Sequence, residues 1–294
     1  MKLGFIGAGK MAEAYISALE KDNEIVYIEK NIERDEYIKS KYRVESQKNL
    51  SYLIKDSDFI ILAVKPQNIE EVLTEISKLD IKMEELSNKI FISIAAGIKI
   101  KTIEKYLNKN NIKIVRVMPN TPAAIKKGIS AYTLNDNIKS SEEIFDIETI
   151  LKATGEIVYV NEKDLDIVTA ISGSGPAYVF VMLNAIADAG VKNGLTKDLA
   201  LKFAVETFIG ASYLVKQSGE HPEKLKDSVT SPSGTTAAGL AMLEKNNIRT
   251  VLIETIDAAY NKSIELGKGE WLENAYIFST FREKLKNNWN TSYN

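Results

Sequence analysis

Apolar positions in the first half of the chain fall in short, dense runs with little polar alternation. "KLGFIG" (2–7), "EIVYIE" (24–29), "DFIILAV" (58–64), "KIFISIAA" (89–96), "IKIVRVMP" (112–119) and "EIVYV" (156–160) are such runs. Their Val, Ile and Phe density predicts strands buried on both faces, the habit of a parallel sheet. Between them, "NIEEVLTEISKL" (68–79) and "IKTIEKYLN" (100–108) repeat apolar residues at the helical period. Strand and helix in alternation predict a doubly wound α/β domain.

Beyond residue 161 the strand pattern stops. "PAYVFVMLNAIADAG" (176–190) opens on a proline and closes on a glycine, which predicts a helix between them. "TKDLALKFAVETFIGASYLVKQSG" (196–219) predicts another, N-capped by Thr196 and ended by Gly219, with further helices at 235–246 and 248–266. In the helix of 196–219, Phe203, Ala204, Val205, Phe208, Ile209, Ala211, Leu214 and Val215 wrap nearly the whole circumference. A helix apolar all round must be buried all round. A small all-α domain has few places for that, so part of it is expected to pack against another subunit. The chain therefore reads as an α/β domain over 1–161 and an all-α domain over 162–294. The polar and aromatic stretch 270–294 is expected to be partly disordered.

Composition narrows the chemistry. The 294 residues suffice for two cores, and 38 basic side chains balance 40 acidic ones, so neither nucleic acid nor an anionic membrane is an expected partner. There is no Cys and a single His, His221, which removes disulfides, thiolate sites, two-His metal sites and most His relays. His221 sits in "GEHP", which reads as a solvent-facing turn between helices. No uninterrupted apolar run approaches the ~20 residues that span a bilayer. The first residues run straight into a core strand, leaving no room for a signal peptide, and a soluble cytoplasmic protein is the expectation.

"GFIGAGKMAEA" holds Gly7-x-Gly9-x-x-Ala12 directly after a strand and before a helical pattern. The first glycine allows the tight turn, the second lets the backbone approach a pyrophosphate, and the small third residue lets helix and strand pack closely. Glu29 ends the second strand about 22 positions on, which favours a dinucleotide over an unliganded turn. Glu29-Lys30-Asn31 is where such a site chooses its cofactor. A carboxylate there suits the ribose 2′-OH of NAD, Lys30 suits the 2′-phosphate of NADP, and both could equally be a solvated strand end. "AVKPQ" (63–67), "SIAAG" (93–97) and "MPNTP" (118–122) end strands on the edge where ligands of such sheets bind. Their plain reading is ordinary βα loops; their small residues would also leave room for a nicotinamide ring.

Acid–base groups are scarce. Reduction of a ketone creates an alkoxide, and dehydrogenases position a His, Lys or Tyr to protonate it. His221 is a poor candidate and Lys65, in a βα turn, is the remaining one. A protonated cyclic imine already carries the charge that accepts hydride, so this composition fits imine better than carbonyl reduction. "SGSGPAYVF" (172–180) and "SPSGTTAAGL" (231–240) each place Ser, Gly and Pro before a helix. Either is a capped helix start or a cradle of N–H groups for an anion. A small substrate could rest its carboxylate on the 231–236 amides and its ring against the nicotinamide.

The stretches 166–195 and 218–244 together resemble the signature region of pyrroline-5-carboxylate reductases, and "GFIGAGKMAEA", "AVKPQ", "SIAAGI" and "RVMPNTPA" match that family in order, over residues 1–266. The resemblance implies reduction of 1-pyrroline-5-carboxylate to L-proline, the last step of proline biosynthesis, with NADPH or alternatively NADH. It implies a Rossmann domain over 1–161 and an all-α substrate and dimerisation domain over 162–294, in a homodimer or a larger ring of dimers. The cofactor would lie over Ile6, Gly7, Ala8, Gly9, Lys10 and Met11 and over Ala63, Val64, Lys65 and Pro66. Glu29, Lys30 and Asn31, together with Ala96, Gly97 and Asn120 on the strand edge, complete that site. Asn49, one residue out of step, is matched to an asparagine that contacts the adenosine ribose. The substrate carboxylate would be held by Ser231, Gly234, Thr235 and Thr236, with Ser174 as a further contact. Thr236 would hydrogen-bond the ring nitrogen and is the catalytic candidate. No metal is implied.

Three positions depart from the family pattern: Ser233 stands for Gly, Asn184 for an acid and Glu206 for Gln. Ser233 puts in doubt a backbone conformation open to glycine. A 3-hydroxyacid dehydrogenase-like protein shares the two-domain plan, but would want a Lys where Tyr178, Val179, Phe180 and Val181 stand. A dinucleotide sensor without turnover is the non-enzyme rival, against which the intact "SPSGTT" loop speaks.

Overall fold

The computed structural model describes residues 1–108 and 111–267, and the stretch 270–294 lies outside them. Two compact units emerge: Met1–Gly173 joined by the chain from Ala259 onward, and Ser174–Ala258.

The first unit is built on one sheet. Its elements are β1 (Lys2–Ile6), α1 (Lys10–Leu19), β2 (Glu24–Ile28), α2 (Ile32–Lys41), β3 (Glu45–Ser46), α3 (Leu50–Asp56), β4 (Phe59–Leu62), α4 (Ile69–Ser77), α5 (Met83–Ser87), β5 (Ile90–Ser93), α6 (Ile100–Leu107), β6 (Lys113–Met118), β7 (Gly128–Leu134), α7 (Ser141–Lys152), β8 (Gly155–Tyr159) and α8 (Leu165–Val168). The strands lie in the order β3-β2-β1-β4-β5-β6-β7-β8. The first six are parallel and reverse direction of winding at β1/β4, the Rossmann arrangement. Alternate residues serve two cores. Leu3, Phe5, Phe59, Ile61, Ile90, Ile92, Val115 and Val117 pack on one face, and Ile6, Ile60, Leu62, Phe91 and Ile114 on the other. This two-sided burial is why the runs of β1, β4, β5 and β6 lacked polar alternation; β8, at the sheet edge, departs from the expectation, with Val158 and Tyr159 exposed.

All six strands predicted from the apolar runs are present, each within a few residues of its expected ends. Two more were not predicted. β3 has only two residues, and β7, "GISAYTL", dilutes its apolar positions with Gly, Ser, Ala and Thr. β7 also departs from the parallel pattern by running antiparallel to β6. Asn135 secures that reversal: its Oδ1 accepts the Ile114 N–H at 3.1 Å and its Nδ2 donates to the Ile112 carbonyl at 2.8 Å.

The second unit holds α9 (Gly175–Lys192), α10 (Lys197–Ser218), α11 (Pro222–Ser228), α12 (Thr235–Lys245) and the first part of α13 (Ile248–Leu266). Thr196 caps α10 by accepting the Leu199 N–H, and Gly219 ends it with φ +64°, as the sequence predicts. α11 was missed, and His221 is its N-cap: Nδ1 accepts the Glu223 N–H at 3.2 Å. Gly190 does not end α9, which runs on to Lys192. A Cβ there would come within 2.7 Å of the Ala200 Cβ, so this glycine permits the close approach of α9 and α10.

This unit has almost no core of its own. Among its described residues the buried apolar side chains are Ala187, Ala200 and Ala204 alone, while Phe203 and Val181 are 60% and 70% exposed. Phe180, Ile209, Leu214, Met242 and Ile253 are exposed as well. So many bare large apolar side chains commonly mark a surface that another protein surface covers. The helical stretch Glu162–Lys192 is also long and apolar enough to cross a membrane by length and composition, which corrects the expectation that no segment qualifies. The uninterrupted-run criterion missed it because small polar residues at 172–175 split the apolar positions.

Phe203→Asp, at the most exposed aromatic of α10, is expected to shift the protein from an oligomer to monomer in sedimentation experiments at micromolar concentration, with loss of thermal stability. An unchanged oligomer would show that α10 is not at the interface.

Candidate functional site

At the C-terminal edge of the sheet a cleft of about 740 Å³ opens at the β1/β4 switch point. Ile6, Gly7, Gly9, Glu29, Lys30, Ala63, Val64 and Lys65, all expected from the sequence, line it. Gly7 turns the chain out of β1 with φ +93°, a conformation that favours glycine. A Cβ at Gly7 would also lie 2.9 Å from the Ala63 carbonyl oxygen. Gly9 is different. Its φ of −64° suits any residue, and a Cβ there would meet nothing within 4 Å. The protein's own packing does not demand a glycine at position 9; a ligand lying against that backbone would. Gly9 is also the N-cap of α1 with no side-chain cap, so the first-turn N–H groups remain for an anion.

Glu29 fixes the loop from the side. Its Oε2 accepts the Ala8 N–H at 2.9 Å and its Oε1 accepts the Asn31 N–H at 2.9 Å. Asn31 in turn caps α2, accepting the Arg34 N–H at 2.8 Å. Arg34, which the sequence reading overlooked, donates to the Ala8 carbonyl at 2.6 Å and to Glu13 at 2.6 Å. Burial pushes the Glu13 carboxyl up, but hydrogen bonds from Arg34, Lys41, Tyr42 and Tyr37 outweigh it and hold the group at about 2. Lys30 pairs with Glu71 on α4 at 3.0 Å, and both residues line the cleft.

Other expected cofactor residues sit outside the cleft lining. Lys10 and Met11 form the first turn of α1, Lys10 exposed and Met11 packed on the core. Pro66 opens a 3-10 turn after β4. Asn49 caps α3 by accepting the Tyr52 N–H at 3.2 Å, and its neighbours Gln47, Lys48 and Leu50 line the cleft instead. Ala96 and Gly97 follow β5, with Gly97 at φ +77° beside Leu266. The Asn120 carboxamide is buried and its Oδ1 accepts the Ile129 N–H at 3.0 Å, tying down β7. Lys48, Asn68 and Lys39 also line the cleft: Lys48 lies between β3 and α3, Asn68 ends the turn after "AVKPQ", and Lys39 lies on α2, where no local pattern marks it.

A buried ionic cluster also went unpredicted. Arg116 on β6, its side chain only 4% exposed, donates to Glu162 at 3.2 Å and faces Asp166 at 3.8 Å. Glu162 also accepts the Ile100 N–H at 2.7 Å, and Asp166 accepts the Ser263 hydroxyl at 2.9 Å. The cluster binds the chain that leaves the first unit to the helix that returns to it.

In the second unit the two Ser/Gly/Pro stretches differ, contrary to the common plan expected. The 172–176 stretch is not an open loop: Thr169–Gly173 forms a π-helical turn between α8 and α9, and the Ser172 hydroxyl donates to the Val168 carbonyl. Ser174 is the N-cap residue of α9 with no side-chain cap. The 231–236 loop is open. The Gly234 N–H closes a turn on the Ser231 carbonyl at 3.1 Å, and Gly234 caps α12 with no side-chain bond. The N–H groups of the first turn of α12, at Thr235 and Thr236, are thereby left for an anion. Ser233 keeps the left-handed conformation at φ +58° despite its side chain. Such a residue costs about 1 kcal/mol or more and persists where the surroundings impose it, commonly at functional loops. Asn184 bonds Asp188 and Lys197.

A Rossmann sheet with a pyrophosphate-type loop at its switch point, followed by a helical unit that lacks its own core, defines a dinucleotide-dependent oxidoreductase with an oligomerising domain. Residues 162–266 match the family described as pyrroline-5-carboxylate reductase dimerisation, and residues 2–97 match one described as NADP oxidoreductase, coenzyme F420-dependent. The chain belongs to the pyrroline-5-carboxylate reductase family. It is 38% identical over 273 residues to a pyrroline-5-carboxylate reductase of Synechocystis, covering 91% of this chain and 99% of that protein. It is 39% identical to the one from Arabidopsis thaliana, covering 91% and 96%. The crystal structure of the Plasmodium falciparum pyrroline carboxylate reductase with NADP bound superimposes with a TM-score of 0.80 at 34% identity, covering 91% of this chain and 98% of that one.

The two glycines separate fold from binding. Gly7→Ala is expected to destabilise by about 2–3 kcal/mol through strain and overlap. Gly9→Val should keep the melting temperature within a few degrees and weaken dinucleotide binding at least tenfold by titration. Equal effects on both properties would contradict this assignment. The Glu13 carboxyl, depressed from 4.5 to about 2, stabilises fully above pH 4.5 and loses that contribution as pH falls toward 2. Glu13→Gln should therefore cost about 2 kcal/mol in denaturant unfolding at pH 7 and little at pH 2.

Proposed function

We propose that this chain reduces 1-pyrroline-5-carboxylate to L-proline, the closing step of proline biosynthesis, with NADPH as hydride donor and NADH as the alternative. The observations that carry this reading are a Gly7–Gly9 cleft in the first unit and an uncapped, strained 231–236 loop in the second, in a chain of this family. The residues present fit a dinucleotide: Gly9 leaves open backbone where a ligand would lie, and the α1 N-terminus offers free N–H groups. When bound, the reduced nicotinamide supplies a hydride to the ring carbon of the C=N bond.

The chain's own residues do the rest. Ile6, Gly7, Ala8, Gly9, Lys10 and Met11 hold the pyrophosphate side of the cofactor, with Ala63, Val64, Lys65 and Pro66 beside it. Ser231, Gly234, Thr235 and Thr236 hold the substrate carboxylate on the amides at the start of α12, where the helix dipole favours an anion. Thr236 hydrogen-bonds the ring nitrogen, and Ser174 adds a contact. No side chain is needed to create positive charge on the substrate, because the imine is protonated before it reacts. Catalysis comes from holding the reacting atoms ~3–3.5 Å apart and from fixing the carboxylate.

The apolar faces of α9, α10, α12 and α13 support a homodimer, or a ring built of dimers, as the working form. A cytoplasmic setting belongs to the same reading: charge is balanced, and a second copy rather than lipid accounts for the bare apolar surface. Residues 1–161 act as the cofactor domain and 162–294 as the substrate and dimerisation domain.

Purified protein should oxidise NADPH or NADH on addition of 1-pyrroline-5-carboxylate, followed at the nicotinamide absorbance. No oxidation of either by folded oligomer would overturn the assignment. Thr236→Ala should lower turnover at least tenfold with cofactor affinity unchanged within about twofold, a loss of about 1.4 kcal/mol or more of transition-state stabilisation. A change confined to cofactor affinity would show that the 231–236 loop serves the cofactor instead.

A further inference from the structure

The end of β2 carries two groups with opposite implications for the cofactor, and the structure separates them. Glu29 lines the cleft, and two backbone bonds fix its carboxylate there, from Ala8 to Oε2 and from Asn31 to Oε1, each 2.9 Å. A carboxylate oxygen accepts two hydrogen bonds, so each oxygen keeps one site for a further donor. Two acceptors on one fixed carboxylate suit two neighbouring hydroxyls of a ribose. Three of the cations near this point are engaged, while Lys48 and Lys65 also line the cleft. Lys30 pairs with Glu71 at 3.0 Å, Lys39 with Asp35 at 2.6 Å, and Arg34 is held between Glu13 and the Ala8 carbonyl.

We propose that Glu29 sets the cofactor preference of this chain, accepting the adenosine ribose hydroxyls and repelling a 2′-phosphate, so that NADH binds more tightly than NADPH although both serve. The proposal rests on the reading of the cleft as the dinucleotide site. A 2′-phosphate carries up to two negative charges and would meet a carboxylate that cannot swing away without breaking both backbone bonds. The neighbouring lysine pairs are exposed and individually weak, so they could rearrange toward a phosphate, but doing so leaves Glu29 in place.

The test is fluorescence titration of the full-length oligomer with NADH and with NADPH, without substrate. NADH is expected to bind at least fivefold more tightly. Glu29→Gln keeps one carbonyl acceptor and removes the charge. It should tighten NADPH at least tenfold and leave NADH within about threefold. Should that variant not fold, 2′-deoxy-NADH tests the same contact on the unaltered protein, where at least tenfold weaker binding than NADH is expected. Tighter NADPH than NADH on the unaltered protein, an unchanged ratio in Glu29→Gln, or 2′-deoxy-NADH binding as well as NADH would each overturn the proposal. So would a Lys48→Ala variant that loses NADPH affinity alone, since that would make Lys48 the partner of the phosphate. Those outcomes leave the dinucleotide site standing; failure of both dinucleotides to bind would remove the site and the proposal together.

Discussion

The turn at Gly7 is the constraint on which the rest of the cofactor site depends. β1 is central in the sheet, pressed between β2 and β4, and its end must reverse direction within the space left by the Ala63 carbonyl. Only a residue without Cβ can do this at φ +93°. Once the turn is made, α1 starts with its first N–H groups uncapped, and the Ala8 amide is delivered to Glu29. Glu29 then reaches on to Asn31, Asn31 caps α2, and Arg34 closes the loop by returning to the Ala8 carbonyl. The cleft is shaped by a continuous chain of hydrogen bonds beginning at one backbone torsion.

The helical unit obeys a different constraint, since nothing within it buries its large side chains. Helices α9 and α10 meet through Gly190 and Ala200, close enough that only small residues fit, and the Phe, Val and Ile side chains are turned outward. The match to a dimerisation family agrees with a covering surface outside this unit. Within the first unit, Asp166 and Ser263, ninety-seven residues apart, share a buried hydrogen bond beside Arg116. The π-helical turn at Thr169–Gly173 lies just beyond Asp166, a feature that recurs at functional positions of helices.

Most of the architecture was legible because two-sided burial and helical period leave strong marks. The short apolar runs became β1, β2, β4, β5, β6 and β8, while β7 was hidden by its Gly, Ser and Thr content and β3 by its length. The glycine loop and Glu29 were readable because strand, loop and acid stand at fixed spacing. What was not readable is how side chains partition. No local pattern says that Lys30 turns to Glu71, that Asn49 and Asn120 bond backbone groups, or that Arg116 is buried against two carboxylates. Those outcomes are set by contacts distant in sequence. The "SGSGP" stretch misled for a related reason: glycine, serine and proline usually signal a loop, yet here the helical path continues through them. Ser233 takes a left-handed φ of +58° with its side chain in place, a conformation its residue type does not announce.

In the proposed mechanism hydride passes to the imine carbon of a carboxylate-anchored ring, by positioning and without an acid–base side chain. The direct measurement is a single turnover with nicotinamide cofactor deuterated on both hydrogens at C4, analysed by NMR of the product. One deuterium is expected, at C5 of proline and on one face only, and none in solvent. Deuterium found in water, spread over both faces, or absent from C5 would contradict it.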